Sequence, residues 1–401
     1  MRELFPIIFS TIAILVVGGL QVLLLYALNR PWWRRTWMRR SSWSLPLAGI
    51  VFVALWGVGA WFSLTWLSDA ASLAAVLVFV LEVALMIALP ISGILHLTDS
   101  LADFIARRIK TAVPDKLNTN RRAFLRTTAL ILPAATVGMS VTGVAQALGS
   151  VKVYEEPLAF ATLPPPLAGL RLLHLSDIHL GHYVNLHTLE QVLTEAEQFQ
   201  PDLVLVSGDV SDELEMLPEA LRMFDGLHPR FGVYATLGNH EYFRGVKKVI
   251  RIFDASPVPL LINQTVMVNA NNVPLAIAGL DDPRSMSNVG ESFFVDSLVQ
   301  TLDGVPEGTF TILMSHRPYV FEPAARLGVD LTLAGHTHGG QIGFAGRSVF
   351  ERFFGGSYLW GHYRIGDNRL FTSAGVGHWF PFRLGCPAEA PVFRLERPDL
   401  I

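Results

Sequence analysis

Residues 203–209 read Leu-Val-Leu-Val-Ser-Gly-Asp, an apolar run that ends in a glycine and an aspartate. A short apolar run of this kind is typical of a buried strand, and the glycine permits a tight exit that exposes Asp209. Four further segments place polar residues of metal-binding type after apolar runs: Asp177-Ile178-His179, Gly238-Asn239-His240-Glu241, His316 and Gly335-His336-Thr337-His338. Because parallel strands deliver the residues at their carboxyl ends into one crevice, five strands are expected to build one site.

The second half of the chain alternates between apolar runs and segments with helical spacing, which predicts an α/β domain. The predicted helices are 186–199, 216–224, 246–253 and 294–302. The predicted strands are 170–175, 203–206, 232–237, 258–262, 265–269, 274–278, 309–314, 331–333, 341–344, 369–373 and 391–395.

The first half is too apolar for a purely soluble protein. The whole chain of 401 residues is 51% hydrophobic and only 16% charged, and the excess of apolar residues lies at the front. Four apolar stretches there are each 24 to 28 residues long, enough to span a hydrocarbon core of roughly 30 Å as a helix. We therefore predict an all-α membrane domain at 1–150, a linker at 151–169 and a catalytic domain at 170–401. The predicted transmembrane helices are 4–28, 44–67, 70–97 and 127–150.

Basic residues indicate the orientation of these helices. The loop 29–42 carries five arginines and the segment 98–126 carries seven basic residues, whereas the turn Ser68-Asp69 carries none. The positive-inside rule places the basic loops in the cytoplasm, so the catalytic domain is expected on the periplasmic or extracellular side of the inner membrane. Residues 121–147, from Arg121-Arg122 to Ala145-Gln146-Ala147, also resemble a twin-arginine export signal with its cleavage site. An uncleaved anchor is preferred because three spans precede it.

The residue types at the five segments suit a pair of divalent ions. Asp177 and His179 alternate with Ile178, so on an extended segment both would point to one side and hold one ion. The carboxylate of Asp209 can bridge two ions. Asn239, His316 and His336 would complete the second ion's shell, and His338 can turn back to the first. Mixed nitrogen and oxygen ligands favour manganese, iron or zinc over calcium, without identifying the metal.

The ordered motifs resemble those of the calcineurin-like metallophosphoesterase superfamily. The resemblance covers about 170–395, and Gly335-His336-Thr337-His338-Gly339-Gly340-Gln341 with Arg383-Leu384-Gly385 resembles its bacterial membrane-associated branch, whose members often carry twin-arginine signals. Glu241 stands where the family usually has aspartate, a replacement that this branch tolerates. The resemblance implies a four-layer α-β-β-α sandwich with a dinuclear metal site at one edge.

The resemblance also implies residue roles. Asp177, His179, Asp209 and His338 would hold the first metal ion, and Asp209, Asn239, His316 and His336 the second. His240 would stay free of metal, contact the phosphate and protonate the leaving oxygen, with Asp212 or a neighbouring carboxylate orienting it. A water bridging the two ions would supply the hydroxide that attacks phosphorus.

Substrate contacts are harder to predict from the sequence. Arg317 follows His316 and is a candidate phosphate ligand, with a surface ion pair as the alternative. Trp360 belongs to an aromatic segment, 344–363, that surrounds Gly355-Gly356 and is interpreted either as a flap at the site or as core. A flap beside a membrane anchor would favour a lipid-linked phosphate as substrate.

These observations predict a membrane-anchored, metal-dependent phosphodiesterase, with phosphomonoesters not excluded. Its partners would be a phosphate ester, of phospholipid or other envelope origin, and the lipid bilayer. The formal net charge of −3, with the basic clusters beside the spans, argues against a nucleic-acid partner. The alternatives are a catalytically inert signalling or scaffold protein, which the complete ligand set disfavours, and a cytoplasmic pyrophosphatase of a lipid precursor, which the orientation disfavours. The sequence does not indicate an oligomeric state.

Overall fold

The computed structural model describes residues 5–109, 115–282, 291–353 and 358–398. Residue 4, where the first predicted span begins, and residues 399–401, where the predicted catalytic domain ends, lie outside these ranges. The chain divides into two compact units, Met1–Ala145 and Gln146–Ile401. The domain boundaries at 150 and 170 remain predictions.

The first unit is helical. Its helices are α1 (Phe5–Leu28), α2 (Arg30–Trp33), α3 (Thr36–Trp61), α4 (Thr65–Ile109) and α5 (Asp115–Ala147). Among the described residues, four helical stretches are long and apolar enough to cross a membrane: Pro6–Leu28, Thr36–Trp61, Thr65–Ala102 and Asn120–Ala147. Their number agrees with the predicted four, and their composition suggests that the protein associates with a membrane.

The turn between the second and third spans lies at 62–64 and not at Ser68-Asp69, where the sequence predicts it. Ser63 adopts a left-handed φ of +55°, and the Leu64 N–H closes the turn on the Gly59 carbonyl at 2.8 Å. Ser68 and Asp69 lie instead in the opening turns of α4. Two polar residues do not by themselves end a helix, because they can be accommodated within its early turns.

The second unit contains two β-sheets flanked by helices. Its helices are α6 (Leu186–Glu197), α7 (Leu217–Asp225), α8 (Asn239–Arg244), α9 (Val246–Asp254), α10 (Glu291–Thr301) and α11 (Phe321–Arg326). Its strands are β1 (Lys152–Ala159), β2 (Arg171–Leu175), β3 (Leu203–Ser207), β4 (Val233–Thr236), β5 (Gln264–Ala270), β6 (Val273–Gly279), β7 (Phe310–Met314), β8 (Leu331–Ala334), β9 (Gly343–Phe344), β10 (Arg347–Ser348), β11 (Gly361–Ile365), β12 (Asn368–Thr372) and β13 (Glu389–Glu396).

Each large sheet has a parallel centre. The first has the order β1-β13-β2-β3-β4, and β2, β3 and β4 run parallel. The second has the order β11-β12-β8-β7-β6-β5, with β6, β7, β8 and β12 parallel. Strands β9 and β10 form a separate hairpin. The parallel centres bring the carboxyl ends of five strands to the positions that the sequence predicts for the site.

Strand alternation separates the two faces of each sheet. In β3, Leu203 and Leu205 belong to a core cluster shared by both sheets, while Val204 and Val206 pack with α6, α7 and α9. A third cluster joins the second sheet to α10 and α11. Helices, two sheets and helices therefore form successive layers, and the predicted α-β-β-α sandwich is confirmed.

Two local predictions differ from the structure. The expected linker 151–169 contains β1, which pairs in parallel with β13 along its whole length. Charged residues and Pro157 made this segment unlike a strand, but such residues are common on sheet edges. Residues 258–262, predicted as a strand, form only an isolated bridge between Ala235 and Leu260. Pro257 and Pro259 lack the N–H groups that a ladder needs.

Candidate metal centre

The predicted ligands lie just beyond the ends of central strands. Asp177, Asp209, His316 and His336 each follow the last residue of a strand by two positions, and Asn239 follows β4 by three. His338 lies two residues after His336. The two sheets thus deliver all seven predicted ligands to one region.

Five of these ligands have a left-handed backbone. The φ angles are +51° at Asp177 and His179, +52° at Asp209, +69° at His336 and +47° at His338. The prediction that Asp177 and His179 share a side through extended alternation was therefore wrong, because neither residue is extended. Left-handed residues other than glycine are uncommon and costly, and they cluster at functional sites where the surrounding structure holds them.

The first group of ligands contains one carboxylate and two imidazoles. Nε2 of His179 and Nε2 of His338 are 3.3 Å apart, and Oδ1 of Asp177 lies 3.5 Å from the His338 nitrogen and 3.9 Å from the His179 nitrogen. All three side chains are buried. Burial lowers the pKa of His338 to about 3, so its ring is neutral, the form that binds metals.

The second group surrounds His316. Its Nε2 lies 3.2 Å from Oδ2 of Asp209, from Oδ1 of Asn239 and from Nδ1 of His336. Its Nδ1 donates to the Ser207 carbonyl oxygen at 2.9 Å, which fixes the ring so that Nε2 faces the other ligands. Burial alone would lower the pKa of His316, but the carboxylates of Asp209 and Asp177 raise it to about 10. Surroundings that favour a proton this strongly also favour a cation.

Asp209 joins the two groups. Its Oδ2 lies 3.2 Å from Nε2 of His316 and 3.6 Å from Nε2 of His179. Burial by itself would raise the pKa of Asp209, but His316 and His179 hold it well below its usual range. Among the described residues, three overlapping sets of donors each lie within 4.8 Å: Asp177-His179-His338, Asp177-Asp209-His316, and a set that joins His179 and Asp209 to His240, the residue predicted to stay free of metal. Carboxylate, amide and imidazole donors in this arrangement fit manganese, iron or zinc ions.

Two glycines allow these groups to approach one another. A Cβ atom on Gly335 would lie 1.9 Å from Oγ of Ser176 and 2.1 Å from Oδ2 of Asp177. A Cβ atom on Gly238 would lie 2.2 Å from Oδ1 of Asp209. Any side chain at either position would displace a carboxylate of the cluster.

Glu241 positions the loop that carries Asp209. Its buried carboxylate accepts the backbone N–H groups of Asp209 at 3.0 Å, Val210 at 2.8 Å and Gly238 at 2.7 Å. The motif alone predicts no separate role for Glu241. Its contacts are with backbone atoms, and no sequence pattern identifies such partners.

Asp212 lies between His179 and His240. Its Oδ2 accepts from Nδ1 of His179 at 3.2 Å, and its Oδ1 accepts from Nδ1 of His240 at 2.6 Å. Arg244 donates to the same Oδ1 at 3.1 Å through one terminal nitrogen. Burial tends to lower the pKa of His240, but the hydrogen bond to Asp212 and the charge of Asp209 raise it overall. His240 can therefore carry a proton beside the cluster.

Arg317 and Trp360, the two predicted substrate contacts, are occupied by other partners. Arg317 is 4% exposed; its Nε and one terminal nitrogen donate to the carboxylate of Asp282 at 2.9 and 3.2 Å, and the other contacts Nε2 of His336 at 2.7 Å. Trp360 is buried with Ala374 and Cys386 and donates to Glu389 at 2.8 Å.

The aromatic segment 344–363 is divided between surface and interior. Phe344 and Phe353 are 80% and 77% exposed, while Trp360 is buried. Phe354 and Gly355-Gly356 lie outside the described residues. The core interpretation thus holds for Trp360, whereas a flap at the site stays a prediction.

Comparisons with known proteins identify similar families and relatives. The sequence profile of the calcineurin-like phosphoesterase family matches residues 170–340. An uncharacterized metallophosphoesterase of Helicobacter pylori is 28% identical over 287 residues, which cover 70% of this chain and 74% of that protein. A Danio rerio transmembrane protein with a metallophosphoesterase domain is 29% identical over 272 residues, covering 65% of this chain and 60% of that protein.

The structural comparison is weaker. The crystal structure of a dimetal phosphatase from Danio rerio has 12% sequence identity and a TM-score of 0.29, with 52% of this chain and 88% of that one covered. By sequence, an uncharacterized metallophosphoesterase of Aquifex aeolicus is 32% identical over 186 residues, covering 46% of this chain and 69% of that protein. On the profile match and this relative, the chain belongs to the calcineurin-like metallophosphoesterase family.

Proposed function

We propose that the protein is a membrane-anchored phosphoester hydrolase that uses two divalent metal ions. The observation that carries this proposal is the position of Asp209, whose Oδ2 lies within 3.6 Å of imidazole nitrogens from both ligand groups. A carboxylate in that position suits a bridge between two ions.

The ligand sets follow from the two groups. Asp177, His179, Asp209 and His338 would hold one ion, and Asp209, Asn239, His316 and His336 the other. When bound, such a pair lowers the pKa of a water molecule to generate a nucleophile and neutralises charge on the phosphoryl oxygens. Manganese, iron and zinc all fit the donors.

His240 would act as the general acid. Its Nδ1 is held by Asp212, so the opposite ring nitrogen, Nε2, is left to contact a phosphate oxygen and to donate a proton to the leaving alkoxide. The charge of Asp212 stabilises the protonated ring. This contribution matters most for substrates with poor leaving groups.

Phosphodiesters that carry a lipid are the proposed substrates. The aromatic side chains of Phe344, Phe353 and Trp379 are 80%, 77% and 57% exposed, and such residues favour a membrane interface or an acyl chain over water. Arg347 and Arg352 lie between Phe344 and Phe353 in the sequence and suit anionic headgroups.

The catalytic domain is proposed to lie outside the inner membrane. The support is the distribution of basic residues, which favours a cytoplasmic location for the loops 29–42 and 98–126. Residues 121–147 would then serve as a twin-arginine-like but uncleaved fourth span. Reporters fused after Ile401 test this location. Alkaline phosphatase should be active there, and a fluorescent protein that folds only in the cytoplasm should not fluoresce. The reverse result would favour the cytoplasmic pyrophosphatase.

The activity is tested with the full-length protein purified in detergent. We expect protein loaded separately with manganese, iron or zinc to hold two ions per chain, to cleave a generic phosphodiester faster than a monoester, and to release phosphate-containing products from membrane lipid extracts. Two bound ions without hydrolysis of any of these substrates would favour the inert scaffold. Rapid hydrolysis of soluble diesters without lipid cleavage would refute only the lipid assignment.

A further inference from the structure

The loop 375–378 lies against the first ligand group. The backbone N–H of Val376 donates to the Ser176 carbonyl at 2.9 Å, and that of Gly377 donates to the Asp177 carbonyl at 2.8 Å. The loop is therefore attached to the segment that carries Asp177 and His179, although about 200 residues separate them in sequence.

Two glycines make this attachment close. A Cβ atom on Gly377 would lie 1.9 Å from the carbonyl oxygen of Ile178. A Cβ atom on Gly375, whose φ is +86°, would lie 2.8 Å from Cβ of Asp177 and 3.3 Å from Nδ1 of His338. His378 thus follows directly on backbone that packs against the ligand Asp177 and its neighbour Ile178.

Arg383 holds the loop from behind. Its guanidinium is fully buried, and one terminal nitrogen donates to the carbonyl oxygens of Gly377 at 2.7 Å and Gly375 at 3.3 Å. Burying a guanidinium is costly unless its donors find acceptors. The carbonyl groups of Gly375 and Gly377 are such acceptors, and these hydrogen bonds hold the loop 375–378 in place.

His378 is buried and unsatisfied. The side chain is 5% exposed, and within the described parts of the chain neither ring nitrogen has a hydrogen-bond partner. Its ring centroid lies 5.9 Å from that of Tyr183. Burial, with smaller effects of Arg383 and His179, lowers the pKa of His378 to about 3, so the ring is neutral and offers one N–H and one lone pair.

Leaving a buried polar group without a hydrogen-bond partner is unfavourable. Most buried polar groups in proteins have a partner, so one without a partner beside a ligand cluster needs an explanation. A substrate oxygen that enters the site would be the missing hydrogen-bond partner of His378. Arg317 and Trp360, the contacts expected from the sequence, are already paired elsewhere.

We propose that His378 is a substrate-binding residue that hydrogen-bonds a phosphate oxygen of the ester on the Asp177–His179 side of the metal centre. This inference rests on the proposed function. It adds a contact that comes from neither the five motifs nor the ligand set, and it gives the Arg383-fixed loop a role in binding.

The test uses full-length protein with His378→Ala, His378→Phe and His378→Gln. Alanine removes the ring, phenylalanine keeps its bulk without nitrogen, and glutamine keeps one donor and one acceptor. His187→Ala, on the exposed surface of α6, is the matched control. Metal content, thermal unfolding, KM, kcat and the inhibition constant of inorganic phosphate are measured for each.

We expect the alanine and phenylalanine variants to raise KM and the phosphate inhibition constant about tenfold or more, with two ions per chain and an unchanged unfolding midpoint. Glutamine should recover much of the loss, and the control should match the unmodified protein. Unchanged phosphate binding in all three variants, or equal loss of metal in all three, would overturn the proposal for His378 alone. Unmodified protein that holds two ions but binds no phosphate would overturn the proposed function as well.

Discussion

The carboxylate of Glu241 accepts the backbone N–H of Asp209 at 3.0 Å, so an acidic side chain that is not itself in the ligand set fixes the residue that links both ligand groups. The same carboxylate accepts the N–H groups of Val210 and Gly238. It therefore ties the loop after β3 to the loop after β4 and sets the distance between two motifs.

Glu241→Gln should destabilise the catalytic unit and weaken metal binding. An amide replaces one acceptor oxygen with an NH2 group that faces backbone donors, and hydrogen bonds to charged groups contribute about 1.5–3 kcal/mol each. We expect the thermal unfolding midpoint to fall by about 5 °C or more, with fewer than two ions retained. Glu190→Gln, on an exposed face of α6, is the control. An unchanged midpoint would show that Glu241 does not hold the two loops together.

Gly335→Ala should abolish metal binding without unfolding the protein. The added methyl group would overlap Oδ2 of Asp177 and Oγ of Ser176, so the carboxylate must move. Gly226→Ala is the control, because its φ is −60° and the nearest atoms to a Cβ there are 3.3 Å away. Metal analysis and circular dichroism separate the two outcomes. Full metal occupancy in the Gly335 variant would contradict the packing described for Asp177.

His240→Ala and Asn239→Ala should have different effects although the residues are adjacent. Loss of a general acid typically lowers turnover by about 10²–10⁴-fold and should leave both ions in place. Loss of the Asn239 amide should lower metal content first. Turnover and metal stoichiometry, measured on the same preparations, distinguish them. Metal loss in both variants would remove the basis for assigning His240 as the acid.

Arg317→Ala should destabilise the protein more than loss of a surface arginine. Removing one partner of a buried ion pair leaves the other uncompensated, at about 3–5 kcal/mol. Arg317→Met with Asp282→Leu should lose less than Arg317→Ala alone, because no buried charge remains. Arg222→Ala, in the exposed pair with Glu219, should change stability by no more than about 1 kcal/mol. If Arg317→Ala instead raises KM at unchanged stability, Arg317 binds substrate.

The sequence predicts the central strands and the positions of the ligands because both depend on local pattern. Each ligand follows an apolar run, and the seven residues predicted from that rule lie together. The backbone at Asp177 and His179 could not be predicted in this way, because a left-handed φ depends on the surrounding packing and not on the triplet itself.

The features that the sequence does not predict depend on contacts between segments that are distant along the chain. The roles of Glu241 and Arg383 depend on backbone atoms that are brought near by folding. The sequence predicts a linker in place of strand β1, because the pairing partner of β1 lies more than 230 residues away and its charged residues do not resemble those of a buried strand. Arg317 is adjacent to a ligand in sequence, but its carboxylate partner, Asp282, comes from a different loop.

The pairing of β1 with β13 also determines the order of assembly. Strand β1 is the first of its sheet to be synthesised, yet its ladder partner is the last strand of that sheet, and β13 in turn pairs with β2. A ribosome-bound chain therefore cannot complete this sheet edge until residues 389–396 have emerged. Completion of this sheet is accordingly a late step in folding, and a chain stalled before β13 would expose two unpaired strand edges to chaperones and proteases.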